Sequence, residues 1–328
     1  MPRFGDGLRP CDAENMLNKS DWQFSTLWPC TFAPLTLTVV GVIYAWCRLW
    51  KEWGASAAIP RKATVAVLVM ESVVCIACFV QCIVVSDIGT WVGGISSCNF
   101  QSWYVGFNLV TYPFLLGLLS LFTRIALQNV EDARFAALRR RPGLAFAACI
   151  VWGAFIAAWP ALGIVPDGYV FADVYCSYNL YQPAQSGLYL ASLVFLVACL
   201  FLGACHLLRT PEAPAGKLAH LKPEGKCCVG IRCLCIGMIA LAVFTQMLPV
   251  AIVIVGFTGT NDTCDGSIAK YLLTGFAPLG HTTSLISAWF AIVWRRELTA
   301  RLAATGSDVG LPTQLTAPPT NLVVDMPA

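Results

Sequence analysis

Residues 98 to 127 read Cys-Asn-Phe-Gln-Ser-Trp-Tyr-Val-Gly-Phe-Asn-Leu-Val-Thr-Tyr-Pro-Phe-Leu-Leu-Gly-Leu-Leu-Ser-Leu-Phe-Thr-Arg-Ile-Ala-Leu, and they meet no charge before Arg124. A helix rises about 1.5 Å per residue and a bilayer's hydrocarbon core is about 30 Å thick, so the stretch crosses a membrane with length to spare. It opens on a cysteine, Cys98, and a second cysteine, Cys176, stands outside it further along the chain.

Six further runs have the same character: Trp28 to Trp50, Ala63 to Ser86, Gly143 to Val165, Gly187 to Leu208, Ile231 to Phe257 and Ala269 to Trp294, with the central one extending over Asn99 to Gln128. Each meets the roughly 20-residue requirement for a spanning helix, and none alternates as a barrel strand would. A chain of 328 residues with 57% hydrophobic and 12% charged residues cannot present an ordinary water-facing surface. The reading is an all-α seven-transmembrane helix bundle. Residues 1–27 form an extracellular tail, 28–300 the bundle and 301–328 a flexible cytoplasmic tail. Trp294 to Leu298 reads as the start of a short amphipathic helix after the seventh span.

Basic residues set the orientation, because cytoplasmic loops collect Lys and Arg. With the N-terminus outside, 17 of the 21 basic residues fall on the inner side, among them Arg48, Lys51, Arg61, Lys62, Arg124, Arg139, Arg140, Arg141, Arg295 and Arg296. Both glycosylation sequons, at Asn18 and Asn261, then fall outside. The net charge of +3 reflects this topology, and no nucleic-acid partner is expected. Most of the 16 cysteines lie inside helices as small apolar residues. Four on the outer side, Cys11, Cys98, Cys176 and Cys264, allow three disulfide pairings, with Cys30 a weaker candidate at the membrane edge.

Glu71 is the one acid in the middle of a span. An intramembrane carboxylate is costly unless protonated, hydrated or paired, so it is either a functional site or a satisfied polar core residue. Other classes lack their chemistry. A retinal protein needs a lysine in mid-span, whereas Lys270 sits at an edge. Three scattered histidines form no metal cluster, and no internal repeat marks a transporter. No enzyme activity, cofactor or metal is expected. Around Cys176 the second outer loop gathers Tyr169, Phe171, Tyr175, Tyr178 and Tyr181, which read either as interfacial anchors or as a lid over a cavity.

Seven spans with a cysteine opening the third, Trp91 seven residues before it and Gly94 nearby, and Pro249 in the sixth helix together resemble the rhodopsin-like G protein-coupled receptors. The resemblance implies a Cys98–Cys176 disulfide, a further Cys11–Cys264 pair, and Glu71 at the family's mid-membrane acid position. The departures lie in the switching parts. Phe122-Thr123-Arg124 stands where the family has Asp-Arg-Tyr, Met247 where it has a toggle tryptophan, and the seventh helix has no Asn-Pro-x-x-Tyr. A kept scaffold with lost switches resembles the gammaherpesvirus-encoded constitutively active orphan receptors that lower surface MHC class I.

That resemblance implies a multi-pass protein of the host cell plasma membrane, surrounded by membrane lipids. It would signal through inhibitory heterotrimeric G proteins without an obligatory ligand, and would act on MHC class I and other receptors by heteromerisation. Phe122, Thr123, Arg124, Arg139, Arg140, Arg141, Arg295 and Arg296 are then the expected G protein face, and Glu71, Met247 and Pro249 the switch core. Removing restraints worth about 1 to 3 kcal/mol would raise the active fraction roughly 5- to 150-fold. The alternatives are a non-signalling membrane adaptor or decoy, and a ligand-dependent chemokine-type receptor.

Overall fold

Long apolar runs uninterrupted by turn chemistry become helices, because in hydrocarbon every backbone group must find its partner within the segment. The computed structural model describes residues 28–88, 94–128, 138, 140–165, 168–172, 175–209, 230–257 and 268–304. They form seven long helices: α1 (Trp28–Lys51), α2 (Ala58–Ile88), α3 (Gly94–Gln128), α4 (Pro142–Ala158), α5 (Pro183–Leu200), α6 (Ile231–Phe257) and α7 (Ile268–Ala304). Helix α5 passes through a π-helical turn (Phe201–Cys205) into one last α-helical turn (His206–Arg209). Between α4 and α5 lies an antiparallel hairpin, β1 (Tyr169–Ala172) and β2 (Tyr175–Tyr178), which pairs Phe171 with Cys176.

Five helices, α1, α2, α3, α5 and α6, are long and apolar enough to cross a membrane. Helix α4 is shorter than expected: it stops at Ala158, 17 residues from its start, followed by a turn over Trp159 and Pro160 to Gly163. Proline cannot continue the helical hydrogen bonding, and Gly163 takes φ +74°, a left-handed conformation that a glycine adopts without penalty. Helix α7 departs the other way. The separate short helix expected after Trp294 is absent, because α7 runs unbroken to Ala304. No Gly or Pro interrupts it after Gly280, and Leu298 and Leu302 are buried against the bundle.

Helix α3 is the axis. Its spanning window is 83% buried, against 28% for α1 and 33% for α5. Neighbouring helices exchange side-chain hydrogen bonds around it: Trp103 Nε1 to the Ala154 carbonyl of α4 (3.1 Å), Tyr104 to Gln81 of α2 (2.6 Å), and Tyr112 with Ser287 of α7 (2.6 Å). Close approach needs small residues, since helices in lipid associate by packing and hydrogen bonds more than by hydrophobic exclusion. At Gly203 a Cβ would stand 2.3 Å from the Ser120 carbonyl oxygen, so only glycine lets α5 cross α3 there.

Candidate functional site

The two ends of α3 and its middle each carry part of the site. At the first end Cys98 and Cys176 form a disulfide with Cα atoms 5.2 Å apart, clamping β2 to the helix. The Cys176 amide donates to Gln101 Oε1 (2.6 Å), fixing the strand one turn further along. Tyr178 is buried flat against Gly106, where a Cβ would stand 2.3 Å from its Cδ2. Tyr169 is half-buried and donates from its hydroxyl to the Ala157 carbonyl (2.7 Å). Burial pushes the phenols of Tyr169 and Tyr178 upward, and that of Tyr181 to about 12. The side chains of Phe171 and Tyr175 lie outside the described residues.

Below the hairpin, Glu71, Asn108, Tyr112, Gln246, Pro249 and Ser284 line a cavity of about 30 Å³ shared by α2, α3, α6 and α7. That volume admits about two waters. Glu71 is fully buried, and neither carboxylate oxygen closes a hydrogen bond. The Ser284 hydroxyl faces it without completing one of normal geometry. The inward residue of α6 is Gln246, which accepts from the Tyr189 hydroxyl of α5 (2.7 Å). Met247 is corrected here: it is 59% exposed on the perimeter of the bundle and belongs to no core switch. Along a helix each residue turns by about 100°, so one step from Gln246 carries Met247 out of the core.

At the other end four residues of the expected G protein face, Phe122, Thr123, Arg124 and Arg295, are held in internal contacts. Phe122 is fully buried against Phe146, with ring centroids 5.1 Å apart. Thr123 is fully buried, donates to the Leu119 carbonyl (2.6 Å), and accepts from Trp294 Nε1 of α7 (2.8 Å). Neither can touch a partner in this arrangement. Arg124 does not project freely: it reaches across to donate to the Leu202 carbonyl in the π-helical turn of α5 (2.7 Å) and to Gln128 (3.2 Å). In the same turn the Ala204 amide is taken up by Ser120 Oγ (2.9 Å), so α3 supplies partners that the slipped helical register of α5 leaves over.

Arg295, expected on the face, is instead fully buried. It donates to Glu52 Oε2 (2.6 Å) and to Ser56 Oγ (2.6 Å) in the turn joining α1 to α2. Burial lowers its affinity for the proton, while Glu52 acts in the opposite sense. Glu52 also pairs with Arg48 (2.7 Å) and stands 3.6 Å from Arg296, which is half-exposed. Arg140 and Arg141 are exposed, whereas Arg139 lies outside the described residues, as do Cys11, Asn18, Asn261 and Cys264. Sequence reasoning missed Glu52, Ser56 and Trp294 as a unit. The only local signal was the Arg48–Glu52 spacing of four residues, which places both on one helical face.

Two buried contacts, Thr123–Trp294 and Arg295–Glu52–Ser56, tie α7 to α3 and to the α1–α2 turn. Among the described residues no cluster of His, Cys, Asp and Glu is arranged to hold a metal ion. Comparison with known families finds no family model that matches the chain, and comparison with curated proteins finds no significant match.

Proposed function

We propose that the chain is a rhodopsin-like G protein-coupled receptor of the plasma membrane, with its N-terminus outside, that activates inhibitory G proteins without a diffusible agonist. The observation carrying this reading is the occupied disulfide end of the bundle. Ligand cavities ordinarily measure about 300 to 1,000 Å³, and the cavity around Glu71 in the middle of the bundle holds about 30 Å³. Tyr178 seated on Gly106 and the Cys98–Cys176 clamp hold the described part of this loop against α3, which supports a receptor that needs no entering agonist. That arrangement speaks against the ligand-dependent chemokine-type alternative.

Viral origin and action on MHC class I remain part of the proposal through the sequence resemblance alone. In cells without added ligand the receptor is expected to depress stimulated cyclic AMP, with pertussis toxin abolishing the effect. A cyclic AMP level equal to that of mock-transfected cells at verified surface expression overturns the reading. One observation favours a second one, the non-signalling adaptor: Trp294 and Arg295 close the end that a G protein would enter. The adaptor reading expects no exchange activity even when that seal is weakened by mutation.

A further inference from the structure

The last part of α5 leaves α-helical bonding where no proline forces it to. Its π-helical turn runs Phe201-Leu-Gly-Ala-Cys205, and the proline of this helix, Pro183, stands far away at its start. A π turn takes one extra residue into the helical path and is rare, so a cause outside the helix is expected. The candidates lie on one side of α3. Gly117, Ser120 and Arg124 follow one another at three and four residues, the spacing of a single helical face. At Gly117 a Cβ would stand 3.1 Å from Phe195 and 3.2 Å from Cys199 Cβ, so α3 and α5 approach closely there.

Next along that face the Ser120 hydroxyl enters the hydrogen-bond ladder of α5. It donates to the Cys199 carbonyl (3.2 Å) and accepts from the Ala204 amide (2.9 Å). Those two backbone groups are five residues apart, the spacing of a π-helical hydrogen bond, and one hydroxyl serves both ends. Gly203 leaves the room for it, since a Cβ there would stand 2.4 Å from Ser120 Oγ. One turn further on, Arg124 donates to the Leu202 carbonyl inside the π turn (2.7 Å) and to Gln128 (3.2 Å). Two side chains of α3 thus meet three backbone groups in or beside the turn, whereas a continuous α-helix would pair such groups within itself.

We propose that the end of α5 is a two-register element: Ser120 and Arg124 hold it in the π register, and without them it closes to a continuous α-helix. Taking one residue out of the wide turn rotates everything beyond it by about 100°. What rotates is the last turn, His206–Arg209, which packs beside α6. Ser120 and Arg124 are then positioning residues for the surface that α5 presents at this end of the bundle. The device belongs to the chain by itself and does not depend on G protein coupling. It gives Arg124 a role in place of the partner contact expected of it.

The test is pulsed electron paramagnetic resonance on the purified full chain in detergent, with no ligand or G protein. The 16 native cysteines rule out thiol labels, so spin labels are attached through non-natural residues. One label replaces the exposed Arg209, and its distance is read to a second label at Trp50 of α1 or, separately, at Leu144 of α4, both exposed. On a helix of radius about 5 Å, a rotation of about 100° moves the label by about 8 Å. Ser120→Ala with Arg124→Met should displace at least one of the two distances by several Å, whereas Arg124→Lys, which keeps a donor for Leu202, should hold both. Phe201 is 60% exposed, so deleting it takes the extra residue out of the turn from the perimeter. The deletion should keep the parent distances, and on that background Ser120→Ala with Arg124→Met should change neither. If the double variant does not fold, the deletion should restore folding, because a continuous helix leaves α3 no groups to meet. A folded double variant with both parent distances overturns the proposal. So does a displacement on the deletion background, and so does a misfolded double variant that the deletion does not rescue.

Discussion

Replacing Glu52 with Gln removes the single carboxylate on which Arg48, Arg295 and Arg296 converge. The consequence is asymmetric. Breaking a buried ion pair from one side costs about 3 to 5 kcal/mol, because the remaining charge is stranded, whereas replacing the buried charge itself by an apolar side chain of similar size is often close to neutral. Glu52 is 24% exposed and Arg295 keeps its bond to Ser56, so water and the hydroxyl offset part of the loss. The expected cost of Glu52→Gln is about 2 to 3 kcal/mol, with Arg295→Met at about 0 to 1 kcal/mol. At roughly 2 °C per kcal/mol for a chain of this size, Glu52→Gln should lower the thermal midpoint in detergent by about 5 °C and Arg295→Met by no more than about 2 °C. The double variant should resemble Arg295→Met alone, since the stranded charge is gone. Additive losses, or a Glu52→Gln cost no larger than that of Arg295→Met, would refute the buried network as the tie between α7 and the α1–α2 turn.

Trp294→Phe deletes the donor to Thr123, leaves the hydroxyl bonded to Leu119 and opens space around a fully buried side chain, so unfolding should be easier by about 2 to 3 kcal/mol, and Thr123→Val on that background should add little. Gly203→Ala forces a methyl into the Ser120 carbonyl and should cost about 1 to 3 kcal/mol, read as a lower thermal midpoint. Glu71→Leu should stabilise by about 1 to 2 kcal/mol, because a buried carboxyl with no completed hydrogen bond is replaced by an apolar side chain that needs none. A midpoint that falls with Glu71→Leu would show that the carboxyl is satisfied in solution.

The helices were legible because long apolar runs in this chain have few readings other than spanning or buried helix, and the place of α3 followed from its uncharged length. The end of α4 was legible in principle from Pro160, and the continuity of α7 from the lack of any Gly or Pro after Gly280. What a spanning helix hides is its inward face. Helix α6 is apolar nearly all round, so its periodicity does not separate Gln246, which faces in, from Met247, which faces out. The seal at the far end was hidden for a different reason. Arg295 and Glu52 are 243 residues apart in sequence, and a basic residue past a span is read first as an interface anchor. Burial of Arg295 is a tertiary fact that no local spacing announces.

Ligand-independent activation is most directly measured as nucleotide exchange on a purified inhibitory G protein by the full chain, reconstituted in vesicles with its orientation verified and with no ligand present. The account predicts exchange above that of empty vesicles, rising further when Glu52→Gln or Trp294→Phe weakens the seal around α7. Exchange equal to empty vesicles for the parent chain and both variants would contradict it, and would leave a closed seven-helix adaptor in its place.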